Sequence, residues 1–194
     1  RLPCFKRGGD ICHAVKGSDR CHSVYQCDLA PSLIALKAKV KLVGTRGERI
    51  IPLNEFFTGD GKKPTILEPD EVLTEVQVPP LRGSVGAYQK LRIREAIDFP
   101  LLGVAVVLDM NGGGVCHEAK VVLNALASAP LEVREAEEVI RGKKISDEVV
   151  EEAAQKAFKE AHPVANLSID PSYRRKMVRV LLKRAVKQAL GLAG

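Results

Sequence analysis

Four of the five cysteines, Cys4, Cys12, Cys21 and Cys27, fall within the first 27 residues, and only Cys116 lies beyond them. Thiols gathered in this way can form disulfides, hold a zinc ion, wrap an iron–sulfur cluster, or stay inert. Disulfides suit a small exported domain, and this chain shows no export signal. Zinc sites favour a C-x(2–4)-C pair, whereas these cysteines are spaced by 8, 9 and 6 positions, with His13 and His22 directly after two of them. A cluster needs four converging thiolates, and a basic, glycine-bearing loop offsets its negative charge through Lys, Arg and backbone N–H groups. Spacing alone leaves all four chemistries open.

The cysteine segment has almost no periodic apolar pattern and cannot build its own core, so elements further along must hold it. Asp28-Leu29-Ala30-Pro31 reads as a helix start, with Asp28 as a capping residue and Leu29, Leu33, Ile34 and Leu36 as the apolar face. Period-two alternation predicts strands over 39–43 and 49–51, a turn between them, a helical turn over 53–57 and a third strand over 72–78. Stiff, turn-rich residues 79–86 predict a domain boundary, which divides the chain into units 1–82 and 83–194. In the second unit, strands are expected over 87–93, 101–109 and 119–125, with a turn at Asn111-Gly112-Gly113-Gly114. Helices are expected over 131–141, 147–161 and 171–190, and Ser146 is a candidate cap for the second of them. The fold class is α+β: small antiparallel sheets followed by a helical layer.

Composition narrows the function. The 194 residues are 45% hydrophobic and 28% charged, a globular profile. The longest apolar run, 101–108, falls short of the ~18 to 20 residues a membrane helix needs, so no membrane partner is expected. The net charge of +6 comes from the C-terminal residues Arg174, Arg175, Lys176, Arg179, Lys183, Arg184 and Lys187. Val178, Leu181, Leu182 and Ala185 alternate with them at helical spacing, which predicts an amphipathic surface helix. With 4% aromatic residues and no Trp, few platforms exist for stacking bases, so no nucleic-acid partner is expected. The first residue is Arg1, which reads as a cut inside a longer subunit.

The run CHSVYQCDLAPSLIALKAKVKLVGTRGERIIPLNEFFTGDGKK resembles the second half of the FAD-binding domain in flavoprotein subunits of the molybdenum hydroxylases, the family of xanthine dehydrogenase and aerobic CO dehydrogenase. YQKLRIREAIDFPLLGVAVVLDM and the helices after it are similar to that family's flavoprotein C-terminal domain. The resemblance covers essentially the whole chain. It implies a PCMH-type FAD-binding domain, only its C-terminal half being here, followed by a small antiparallel sheet packed with three helices. The function it implies is electron transfer through FAD in a cytoplasmic oxidoreductase. The partners would be a molybdopterin large subunit, a small subunit with two [2Fe-2S] clusters, and the absent N-terminal FAD-binding half with its glycine-rich phosphate loops. Substrate chemistry would lie on the molybdenum subunit.

Within that family, C-x(7)-C-x(8)-C ahead of the Asp-Leu-Ala-Pro helix resembles the beta subunit of 4-hydroxybenzoyl-CoA reductase, which carries an extra [4Fe-4S] cluster. The resemblance implies Cys4, Cys12 and Cys21 as ligands, a fourth cysteine upstream of the chain, and Cys27 as a non-ligand. It further implies Asp28 as an acceptor for FAD hydroxyls and Lys90 as a cation near the polar edge of the isoalloxazine, where positive charge favours the reduced ring. Phe99 would cover a flavin face, and Leu73 would lie in a cofactor-touching strand. The bland alternatives are a helix cap for Asp28, an exposed strand lysine for Lys90, core packing for Phe99 and Leu73, and inert thiols for Cys27 and Cys116. A cofactor-free or metal-binding docking module is the alternative for the whole chain.

Overall fold

The structure is a computed structural model and describes residues 2–81, 83–165 and 167–192, so Arg82, inside the expected boundary, lies outside the described residues. Helix α1 (Leu29–Ala35) leads into strands β1 (Lys39–Gly44), β2 (Gly47–Pro52) and β3 (Val72–Gln77), an antiparallel sheet of order β2-β1-β3. A second antiparallel sheet, of order β4-β5-β6-β7, is built from β4 (Ser84–Leu91), β5 (Leu102–Met110), β6 (Cys116–Asn124) and β7 (Leu131–Glu132). Helices α2 (Arg134–Ile140), α3 (Asp147–Glu160) and α4 (Pro171–Ala189) follow.

The second sheet is buried on both faces, which is why β5 reads as a continuous apolar run rather than an alternating one. Val104, Val106 and Leu108 join Leu181, Leu182 and Ala185 of α4 in one core. Ala105 and Val122, on the opposite face, join Ile34 and Ala35 of α1 with Val40, Leu42 and Phe56 in another. The cysteine-bearing unit is therefore fastened to the back of the second sheet by α1.

Most element boundaries agree with the sequence patterns, and the exceptions have physical causes. Residues 131–132 were expected to open a helix but form an edge strand that pairs with Val122 and Leu123. Val133 then donates its N–H to Val121, and the helix begins only at Arg134. Asp28 does not cap α1: its side chain makes no capping bond, and Cys27 Sγ accepts the Ala30 N–H at 3.5 Å instead. Ser146 does cap α3, accepting from the Val149 N–H. Among the described residues, no helix is long and apolar enough to cross a membrane.

Three features position the site. Tyr88 and Lys90 alternate on β4 and so point to one side of it. Gly103 on β5 pairs with Lys90, and a Cβ there would sit 2.5 Å from the Tyr88 hydroxyl, so the strand must be bare at this point. Segment 2–28 carries little regular structure beyond a 3-10 turn at Phe5–Arg7 and is held from outside. The Gly61 N–H donates to the Cys21 carbonyl at 2.9 Å, and a Cβ on Gly61 would meet Ser23 at 2.7 Å.

Candidate functional site

Freed from capping, the Asp28 carboxylate turns toward β4. It accepts the Tyr88 hydroxyl on Oδ1 at 3.0 Å and the Lys90 ammonium on Oδ2 at 2.6 Å. Lys90 Nζ also donates to the Asp98 carbonyl at 2.6 Å. An ammonium carries three N–H groups, so these two bonds aim Lys90 while leaving a donor for a further acceptor. The Asp28 side chain is 46% exposed against 19% for Lys90, so the carboxylate is the accessible member of the pair. Burial, the Asp28 charge and the bond to it push the Tyr88 hydroxyl above its ordinary pKa.

The loop over 92–100 forms the rim. Asp98 ties it by accepting the N–H groups of Ile93 at 3.1 Å and Arg94 at 3.2 Å, and these bonds outweigh burial and hold its carboxyl below the usual range. With Asp98 as the tie, the loop lifts Phe99 and Ile97 into solvent at 69% and 96% exposure. Together with Gln26, Cys27 and Asp28 they line a cleft of about 240 Å³. Its lining combines an aromatic and an aliphatic side chain with the Asp28 carboxylate, and Lys90, bonded to Asp28 and to the Asp98 carbonyl, stands behind that lining. Such a site can flank an aromatic ring while offering an acceptor to hydroxyls and a cation to a developing anion.

Asp28, Lys90 and Phe99 are thus brought together. Leu73 is not: it sits on β3 opposite Leu42, half-buried against the smaller core, and does not line the cleft. Tyr88, Gln26, Asp98 and Asn124 also belong to the arrangement, although sequence reasoning passed over them. Tyr88 had a signal, two positions from Lys90 on one strand. Asn124, whose side-chain amide donates to the Cys27 carbonyl across 97 positions, had none.

Cys4, Cys12, Cys21, Cys27 and Cys116 are free thiols, and among the described residues no three Cys, His, Asp or Glu side chains are grouped to hold a metal ion. The described residues therefore give no support of their own to a cluster on Cys4, Cys12 and Cys21. Cys21 is buried, and its carbonyl is shared by Gly61 and Ser128. Cys4 is held by a bridge to Ile11. Cys12 is distinct: burial acts to raise its pKa, but backbone N–H groups of His22, Val15 and Ala14 outweigh this and hold the thiol below its ordinary value. Burial pushes Cys116 up to about 11.

Relatives bear on this geometry. Residues 7–81 match the family described as FAD binding domain in molybdopterin dehydrogenase, and residues 86–189 match the CO dehydrogenase flavoprotein C-terminal domain. The carbon monoxide dehydrogenase medium chain of Hydrogenophaga pseudoflava is 33% identical over 94% of this chain and 59% of its own length. The xanthine dehydrogenase FAD-binding subunit of Escherichia coli O157:H7 is 25% identical over 96% of this chain and 61% of its own length. Among solved structures, reconstituted CO dehydrogenase from Oligotropha carboxidovorans matches with a TM-score of 0.77 and 33% identity, over 86% of this chain and 57% of that one. The chain spans about three-fifths of the length of these relatives. With both units matched in order, the chain belongs to the FAD-binding flavoprotein subunits of the molybdenum hydroxylases.

Proposed function

We propose that this chain is part of an electron-transfer FAD subunit, in which Asp28, Lys90 and Phe99 form one edge of the flavin site. The observation that carries the reading is the cleft itself. An exposed aromatic ring, an accessible carboxylate and a lysine with an unused donor meet where α1, β4 and the 92–100 loop converge. These groups fit the amphipathic character of FAD. Asp28 would accept from its hydroxyls, Lys90 would place positive charge near the ring edge, and Phe99 with Ile97 would exclude water from a ring face. The flavin, when bound, supplies the capacity to take and release electrons one or two at a time.

The rest of the FAD-binding domain, with the backbone N–H groups that cradle a pyrophosphate, would come from outside these 194 residues, as would the molybdopterin subunit and the [2Fe-2S] subunit. The assembly would be a cytoplasmic oxidoreductase. Residues 1–82 would complete the flavin domain, and residues 83–194 would buttress it. The test is flavin release: the full-length subunit, unfolded and assayed by fluorescence, is expected to yield close to one FAD per chain. A colourless preparation that takes up no added FAD would favour a cofactor-free docking module.

A second reading, a [4Fe-4S] cluster as in 4-hydroxybenzoyl-CoA reductase, is favoured by one observation. The Cys12 thiol is held below its ordinary pKa by backbone N–H donors, an environment suited to a ligating thiolate. Against it stands that among the described residues no three Cys, His, Asp or Glu side chains are grouped to hold a metal ion. Iron and acid-labile sulfide analysis of the anaerobically purified full-length subunit decides between them, and absence of iron ends the cluster reading.

A further inference from the structure

The guanidinium of Arg174, on α4, is fully buried, yet among the described residues its side-chain partners are backbone carbonyls and not a carboxylate. Asp170 at the start of α4 acts on it through space but does not pair with it, and burying an unpaired charge is costly, so an apolar side chain of similar volume would fill the space at less expense. What the guanidinium does is grip two carbonyls from separate segments. It donates through Nη1 to Ala125 at 2.9 Å and through Nη2 to Val164, while Nε has no partner among the described residues.

Ala125 is a tight point in the chain. It sits at φ +61°, a left-handed conformation that a non-glycine residue rarely adopts, immediately after β6. The turn it makes presents the next groups to the cysteine segment. The Ala127 carbonyl accepts the Tyr25 N–H at 2.9 Å, and Ser128 Oγ donates to the Cys21 carbonyl at 3.3 Å. The Asn124 amide donates to the Cys27 carbonyl from a fully buried position. Residues 124–128 thus form a template on which 21–28 is laid, and Arg174 fixes the strained residue within it.

We propose that Arg174 is a positioning residue: by holding Ala125 it sets the place of segment 21–28 and so of the Asp28 carboxylate. The consequence for cofactor binding rests on the flavin reading above, but the positioning role does not.

Hydrogen exchange of the full-length subunit, followed by mass spectrometry, tests this with R174M, R174K and N124A. In R174M the amides of 21–28 are expected to exchange at least tenfold faster, while those of β5 keep wild-type protection. R174K, which reaches one carbonyl, is expected to be intermediate, and N124A should loosen only the Cys27 end. Exchange that rises equally in β5 and in 21–28 would mean that Arg174 only supports the core, and would overturn the proposal. So would unchanged exchange at 21–28 in folded R174M. If R174M does not fold, R174K decides by the same comparison. FAD content is read in parallel. Loosened 21–28 with unchanged FAD content leaves the positioning role standing and removes Asp28 from the flavin site, whereas loosened 21–28 with several-fold weaker FAD retention supports both.

Discussion

Lys90 Nζ lies 2.6 Å from Asp28 Oδ2, an ion pair that joins the residue just ahead of α1 to the second sheet across 62 positions of sequence. Neither side chain is bonded as its local pattern alone would have it. Asp28 stands at the N-cap of α1 but makes no capping bond, and Lys90 is held by the carboxylate and by the Asp98 carbonyl. The pair is half-exposed, so its worth to folding is modest, ~1 kcal/mol or less. Its worth lies in presenting a carboxylate and an ammonium side by side.

Replacing Lys90 with Met removes the cation and keeps most of the volume. In the FAD-loaded subunit the flavin midpoint potential is expected to fall, because less positive charge faces the reduced ring. A loss of about 1 to 2 kcal/mol corresponds to roughly 20 to 40 mV for a two-electron couple. Spectroelectrochemical titration measures it. An unchanged potential would place Lys90 away from the ring.

Gly103→Ala is the most local perturbation available to the site. The new methyl would meet the Tyr88 hydroxyl at 2.5 Å, and the tyrosine must swing off Asp28. Overpacking of this kind costs about 1 to 3 kcal/mol. The expected result is a lower melting temperature together with weaker FAD retention. The double variant G103A/Y88F should recover part of the stability but not the hydrogen bond to Asp28.

What could be read from the sequence follows from which signals are local. Ser146 and Pro171 mark helix starts by chemistry confined to one turn, and α3 and α4 begin there. The continuous run over 101–108 announced a strand buried on both faces. By contrast, Leu131 and Glu132 obey a partner strand, which no local pattern reports. At the candidate site, family resemblance pointed to Asp28, Lys90 and Phe99, whose flavin roles are part of the proposal. Nothing local pointed to Asn124 and Arg174, since both act on backbone carbonyls dozens of positions away. The cysteine spacing left the metal question open, because separation along a chain does not specify convergence in space. Cys21 is fixed by Gly61 and Ser128 rather than by Cys4 or Cys12.

The thiols should differ sharply in reactivity. The thiolate is the nucleophile, so Cys12, held below its ordinary pKa, is expected to be alkylated first at pH 7.5. Cys116, buried and pushed up to about 11, is expected to resist until the protein unfolds. Timed iodoacetamide labelling with peptide mass spectrometry reads the order. Equal rates at the two positions would remove the backbone N–H cradle from the account of Cys12.

Glu151 should control the acid limb of stability. It ties α3 to α4 by accepting Lys183 Nζ at 2.9 Å and Arg179 at 2.7 Å, with Gln155 as a third donor. The bond from Lys183, then those from Arg179 and Gln155, lower its pKa from 4.5 to about 2. A depressed carboxyl contributes stability that is fully present above its unfolded value of 4.5 and is lost as pH falls from there toward 2. Glu151→Gln removes that term. Its melting temperature should therefore lie below wild type by a constant amount above pH 5, and the two curves should converge near pH 2. Because the group faces solvent, the gap should also shrink in high salt. A gap that persists unchanged at pH 2 would assign the effect to packing between the helices rather than to the charge on Glu151.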